Sequence, residues 1–239
     1  MDKKDFMKLE GHVFDEGNPW DIWEDGSRKP NKLPYFASWA LYDDSIESPD
    51  RPIKNEKAEQ IVMKNIDILK GNIVFVALNF SNLLAPDWRH WCNIRGNYNV
   101  RWLLDGNNFN VEKYRGAYIT DIIKNHIGSV ANDVMNEIER KKINKNIDLF
   151  IEEIEMLPSE NIEMYLFGTD VENIFKNYIM NDQIKIDRLK LKVKKCQRIE
   201  HYSGSNNGRF RKFAPSQLGL IDPPEPDTPM IFLWNDIES

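Results

Sequence analysis

The chain has 239 residues, of which 41% are hydrophobic, 29% charged and 11% aromatic, and its 38 Asp and Glu against 32 Lys and Arg give a net charge of −6. That length supports one α/β domain with decorations, or two small domains, and a sizeable core; the acidity, if uniform, argues against a polyanionic partner. Cys92 and Cys196 alone exclude a disulfide framework, a four-cysteine iron–sulfur cluster and a cysteine-rich zinc module, and His12, His90, His126 and His201 have no metal-ligand spacing.

At the amino end, residues 1–11 carry no apolar signal core, and the longest strongly apolar run, Ile73 to Leu78, is far too short to span a bilayer. With a mean hydropathy of −0.58, the chain reads as a soluble, cytoplasmic protein with no membrane partner. Five prolines fall within residues 1–54 and five within 214–229, with Pro86 and Pro158 alone between them. Proline continues neither helices nor central strands, so the ends read as loop-rich and the middle as the regular core. Trp20, Trp23, Tyr35, Phe36, Trp39 and Tyr42 are too many aromatics for a disordered linker. Residues 1–54 are therefore expected to form a loop-rich aromatic extension packed on a domain spanning 55–239, with Ala37 to Tyr42 as a strand.

Ala58, Ile61, Val62, Ile66 and Leu69 recur at helical spacing, and Gly71 is placed to end that helix. Ile73 to Leu78 has the continuous apolar character of a strand buried on both faces. Asn99 to Leu104 reads as a short helix and Ala117 to Ile123 as a second strand. Helical patterns follow at Val130, Val134 and Ile138 and again at Ile147, Phe150, Ile151 and Ile154, the latter closed by Pro158. Ile162 to Phe167 is the third strand, and Thr169 or Asp170 is a suitable N-cap for a helix bearing Val171, Ile174, Phe175, Tyr178 and Ile179. Leu189 to Lys194 alternates as an edge strand would, with Cys196 to Glu200 continuing it or forming another. This alternation predicts an α/β fold, a three-layer α/β/α sandwich around a mostly parallel central sheet of about four strands.

Ligands of open parallel sheets bind beyond the carboxyl ends of the strands. Those ends carry Leu78-Asn79-Phe80-Ser81, Thr120-Asp121, Gly168-Thr169-Asp170 and His201-Tyr202-Ser203-Gly204-Ser205, beside a loop holding Trp88, His90 and Trp91. They supply an amide, carboxylates, an imidazole and aromatic faces, without a nucleophile–base–orienter triad or a metal set. Plainer roles are open to each: Asn79 as a turn former, Asp121 as a cap, His201 as a packing residue, Trp88 and Trp91 as loop anchors.

Three segments, in order between about Asn72 and Leu218, resemble motifs of the uracil-DNA glycosylase superfamily. Val76-Ala77-Leu78-Asn79-Phe80-Ser81 resembles the strand that runs into Gly-x-Asn-Pro-Gly or Gly-x-Asp-Pro-Tyr. Gly116-Ala117-Tyr118-Ile119-Thr120-Asp121 resembles the strand whose final Asn reads the base, and His201-Tyr202-Ser203-Gly204 the second catalytic motif, His-Pro-Ser. Ala77, Phe80, Ser81, Asp121 and Tyr202 depart from those patterns, which marks a divergent branch.

The resemblance implies a DNA-repair hydrolase that cleaves the N-glycosidic bond of a flipped, damaged or modified base without cofactor or metal. Asn79 and His201 would be catalytic, Asn79 positioning water and His201 donating a hydrogen bond to the departing base. Asp121, Phe80, Trp88 and Trp91 would bind the base. Ser81, Ser203, Gly204, Ser205, Arg209, Arg211 and Lys212 would hold the DNA backbone, single-stranded or with a flipped base. An ionised Asp121 only accepts hydrogen bonds, so it suits a base edge presenting N–H groups and opposes O4 of uracil. Two alternatives stand beside this: a glycosylase-like protein that binds nucleic acid or a nucleotide without catalysis, and an unrelated doubly wound protein acting on a small phosphorylated ligand. The absence of a Gly-rich phosphate loop disfavours the last.

Residues 184–212 hold ten Lys or Arg against Asp187 and Glu200, a net +8 that leaves −14 for the other 210 residues. Net acidity therefore does not exclude DNA; it places the contact beside His201. Lys190, Lys192 and Lys194 would protect an exposed edge strand, and Arg209-Phe210-Arg211-Lys212 would grip a backbone.

Overall fold

The computed structural model describes residues 1–13, 33–42, 61–78, 97–124, 140–203, 206–224 and 231–235. Its strands are β1 (Ala37–Trp39), β2 (Lys70–Ala77), β3 (Ala117–Asp121), β4 (Ile162–Phe167), β5 (Val193–Ile199) and β6 (Ile231–Asn235). Helices with both ends described are α1 (Lys3–Gly11), α2 (Tyr98–Leu104), α3 (Arg140–Met156), α4 (Gly168–Phe175), α5 (Gln183–Lys190) and α6 (Asn207–Gln217). A π-helical turn, Lys176–Met180, extends α4.

The apolar run of β2 explains its central place. Val74 and Val76 enter one core while Ile73, Phe75 and Ala77 enter the other, all of them buried, so neither face of the strand can meet water. β3 and β4 flank β2 in parallel, and β5 runs parallel to β4. The expected parallel core is thus β3-β2-β4-β5, but the sheet is larger and mixed. Its order is β1-β3-β2-β4-β5-β6, with β1 antiparallel to β3 and β6 antiparallel to β5.

Helices cover both faces. Val100, Leu103 and Leu104 of α2 and Phe210 and Ala214 of α6 pack with Phe75, Tyr165 and Phe167. On the other face, Ile147, Phe150 and Ile154 of α3, Val171 and Ile174 of α4 and Leu189 of α5 join Val74, Val76 and Met164. Phe6 and Leu9 of α1 and Trp39 of β1 lie in that same cluster, so described parts of residues 1–54 belong to this core. The chain leaves β2 for β3 on one side and then returns to β4 on the other, making the crevice between the carboxyl ends of β2 and β4 the topological switch point.

Several expected boundaries are corrected. Leu189 to Lys194 is not an edge strand: Leu189 and Lys190 end α5, and β5 begins at Val193 between β4 and β6. The Asp182 carboxylate accepts from the N–H groups of Ile184 and Lys185, and that cap starts a helix where the side-chain alternation suggested a strand. Leu189 is buried while Leu191 is 69% exposed, so the alternating apolar residues share no face, nor do Lys190, Lys192 and Lys194. Gly71 lies inside β2; the helical turn over 61–64 ends instead at Asn65, whose amide donates to the Ile61 carbonyl at 2.8 Å. Neither Thr169 nor Asp170 is an N-cap, because α4 starts at Gly168 with Phe167 in the cap position. The strand from Ala117 stops at Asp121, and that from Ala37 at Trp39. The helical pattern at Val130, Val134 and Ile138 falls outside the described residues.

One core encloses an ion pair. Lys124 and Glu153 are fully buried and joined Nζ to Oε2. Glu153 Oε1 accepts from Tyr118 Oη at 2.6 Å and from Thr120 Oγ1 at 2.7 Å. Lys124 also donates through Nζ to Thr120 Oγ1 at 2.7 Å and through its backbone N–H to Asn146 Oδ1 at 2.8 Å. Each charge therefore has partners in a place that water does not reach.

Candidate functional site

The carboxyl ends of β3, β4 and β5 bring Asp121, Gly168 and the segment His201 to Ser203 into one neighbourhood. Asp121 closes β3 opposite Ala77 of β2 and is fully buried. Gly168 follows β4 with φ +84°, and its Cα lies directly beneath the His201 side chain. β5 ends at Ile199, two residues before His201. The Tyr202 ring stacks on that of His201, centroids 4.7 Å apart and planes 18° apart, and meets Phe167 edge-on at 4.9 Å.

The imidazole is held in one chemical form. Burial lowers the His201 pKa below its ordinary 6.5, while the charge of Asp170 pulls the other way. Its Nδ1 accepts the backbone N–H of Ser203 at 3.1 Å, so the neutral ring carries its proton on Nε2. Burial, and then the charge of Asp121, push the Tyr202 hydroxyl well above the ordinary tyrosine value. Tyr202 keeps its proton chiefly because it is buried, and the nearby carboxylate of Asp121 adds to that.

Asn99, the second residue of α2, carries no signal in the sequence beyond its helix. The fold places its Nδ2 2.7 Å from the carbonyl oxygen of Tyr202. Asn97 caps the same helix by accepting the N–H groups of Asn99 and Val100. The first turn of α2 is thereby fixed against the loop that carries His201.

Of the sequence-predicted site residues, Asp121, His201 and Ser203 are brought together here. Asn79, Phe80, Ser81, Trp88, Trp91, Gly204 and Ser205 lie outside the described residues. Arg209, Arg211 and Lys212 stand on α6, and each meets a partner within the protein. Arg209 meets both oxygens of Glu200, Nη2 to Oε1 at 2.9 Å and Nε to Oε2 at 3.4 Å. The Arg211 guanidinium lies between the rings of Tyr98 and Trp102, 5.1 and 5.0 Å from their centroids. Lys212 Nζ stands 4.9 Å from the Phe213 ring centroid.

Half of the ten cations in the basic run are answered by carboxylates from elsewhere in the chain, Lys185 by Asp148 among them. Arg188 meets Glu155, Lys192 meets Glu160, Lys195 meets Glu163 and Arg198 meets Glu172. Their positive charge is mostly spent inside the protein, which linear charge counting does not reveal. A cleft of about 640 Å³ opens at the other, amino ends of the strands, lined by Met1, Asp67, Lys70, Gly71, Arg115 and Asn161 among others, away from His201.

Among the described residues, no three His, Cys, Asp or Glu side chains gather as a metal site requires. No described helix is long and apolar enough to cross a membrane. Compared with known proteins, the chain matches no protein-family model and no curated protein.

Proposed function

We propose that the site beyond β3, β4 and β5 is the base pocket of a divergent uracil-DNA glycosylase-like protein, a three-layer α/β/α sandwich that hydrolyses the N-glycosidic bond of a flipped damaged or modified base. One observation carries this reading: a buried carboxylate, Asp121, shares the strand ends with a neutral imidazole whose proton sits on Nε2. As the bond breaks, positive charge grows on the sugar and negative charge on the base. A fixed Nε2–H donor stabilises that negative charge as it appears, without first having to lose or gain a proton. Asn79 would orient the attacking water, an amide being able to polarise it but not to deprotonate it. Asp121 would accept N–H groups of the base edge. Tyr202, where the family has proline, stacks on His201 and keeps the ring in place.

Labelled oligonucleotides carrying uracil, hypoxanthine, xanthine or alkylated bases, single- and double-stranded, test this after alkaline cleavage of abasic sites. The expected result is strand breakage that favours hypoxanthine, xanthine or modified cytosine over uracil and disappears with His201→Ala and Asn79→Ala. Uracil released as fast as the others would remove the role given to Asp121. A second reading, binding of a nucleotide or nucleic acid without catalysis, draws on the Glu200–Arg209 pair, which takes up a cation beside the site. Salt-sensitive binding with no breaks on any substrate would select it.

A further inference from the structure

Two helices on one face of the sheet, α2 and α6, are free of acidic side chains. They carry Arg101, Arg209, Arg211 and Lys212. α3, on the opposite face, balances its cations with Asp148, Glu152, Glu153 and Glu155. α2 and α6 also pack against each other. At their junction the Arg211 guanidinium sits between the Tyr98 and Trp102 rings, and Trp102 meets Phe109 edge-on with centroids 5.2 Å apart. Tyr98 remains 49% exposed. It immediately precedes Asn99, whose amide holds the Tyr202 carbonyl, so this surface starts one residue from the candidate site.

A cation packed between rings holds them in fixed orientation and leaves an aromatic face backed by positive charge. Every nucleobase has a π-face that can stack there, while a phosphate backbone meets the cations of the same two helices. A duplex hides its base faces, so a surface of this kind selects unpaired strands.

We propose that Tyr98, Trp102 and Arg211 form a stacking surface for single-stranded nucleic acid, which receives the nucleotides flanking the base held at His201. The proposal rests on the nucleic-acid partner of the reading above but not on catalysis.

Fluorescence anisotropy of the full chain with a labelled single-stranded oligothymidylate, an abasic oligomer of equal length and a duplex tests it. Tyr98→Ala should weaken oligothymidylate binding by about fivefold or more, and Tyr98→Phe should retain it. Tyr98→Lys, which adds a cation but removes the ring, should weaken it too. The abasic oligomer should bind wild type and Tyr98→Ala alike. Unchanged or tighter binding by Tyr98→Lys, an equal loss on the abasic oligomer, or no binding of oligothymidylate at low salt overturns the proposal. His201→Ala separates it from the glycosylase reading. Binding that depends on Tyr98 in a wild-type protein that releases no base upholds the surface and removes the catalysis. Base release with binding indifferent to Tyr98 does the reverse.

Discussion

A Cβ atom on Gly168 would stand 2.7 Å from Cβ of His201 and 3.0 Å from its Cδ2. The His201 imidazole therefore rests on bare backbone at the head of α4, and the φ of +84° is one that side-chain-bearing residues rarely adopt. Gly168→Ala should destabilise the fold by about 1–3 kcal/mol in urea unfolding and displace His201, with loss of ligand binding or base release. Gly208→Ala is the control: nothing lies within 4 Å of its added methyl, and alanine favours the helix, so stability should hold or rise slightly.

The Lys124–Glu153 pair should behave as a buried pair does, with each partner costly to remove alone. Lys124→Met leaves the Glu153 charge in the core and should lower the unfolding free energy by about 3–5 kcal/mol. Glu153→Leu should be worse, since it strands the Lys124 charge and also removes the oxygen that accepts from Tyr118 and Thr120. In a double-mutant cycle, the double variant should lose less than the two singles added together.

The depressed His201 pKa ties stability to pH in one direction. The unfolded chain takes up this proton near pH 6.5, whereas the folded chain resists it to lower pH. The contribution is complete above about pH 6.5 and is lost progressively as pH falls below it. NMR titration of the imidazole should give a midpoint below 6.5 with Nε2 protonated in the neutral form. Base release, if it uses the neutral ring, should persist to pH values below 6.5. A midpoint above 6.5 contradicts both expectations.

Glu200 is a restraint on the cations beside the site. Its side chain is 9% exposed and holds Arg209, which is 60% exposed. Glu200→Gln should release that guanidinium and remove an opposing charge, so oligonucleotide binding should tighten and its salt dependence steepen. Arg209→Ala should weaken binding less than Tyr98→Ala does, because the guanidinium it removes is already engaged. Anisotropy titrations at several salt concentrations would measure both.

How far the sequence could be read follows from where the information resides. Ile162 to Phe167 is legible to the residue, because five of its six side chains are apolar, as a strand buried on both faces requires. β6 is not, being five residues beyond a proline-rich stretch whose anchors, Trp234 Nε1 on the Val193 carbonyl and its ring 5.5 Å from Phe175, lie far away in the chain. Leu189 to Lys194 misled because period-two alternation also arises where a helix ends and a strand begins, and only the Asp182 cap distinguishes the two. Asp121 and His201 are visible because one closes a strand and the other follows one. Asn99 and the ring pair around Arg211 are not, since both depend on α2 meeting segments more than a hundred residues later.

Both outer strands come from beyond residues 72–218, β1 before Asn72 and β6 after Leu218. Trp39 of β1 packs on Tyr118 with ring centroids 4.8 Å apart, and Trp234 of β6 pairs across from Cys196. A fragment trimmed to residues 72–218 would bare the outer backbone of β3 and β5 and uncover those two contacts, leaving sticky margins that join copies side by side. The two outer strands thus guard the margins of the sheet while lending no side chain to the neighbourhood of His201.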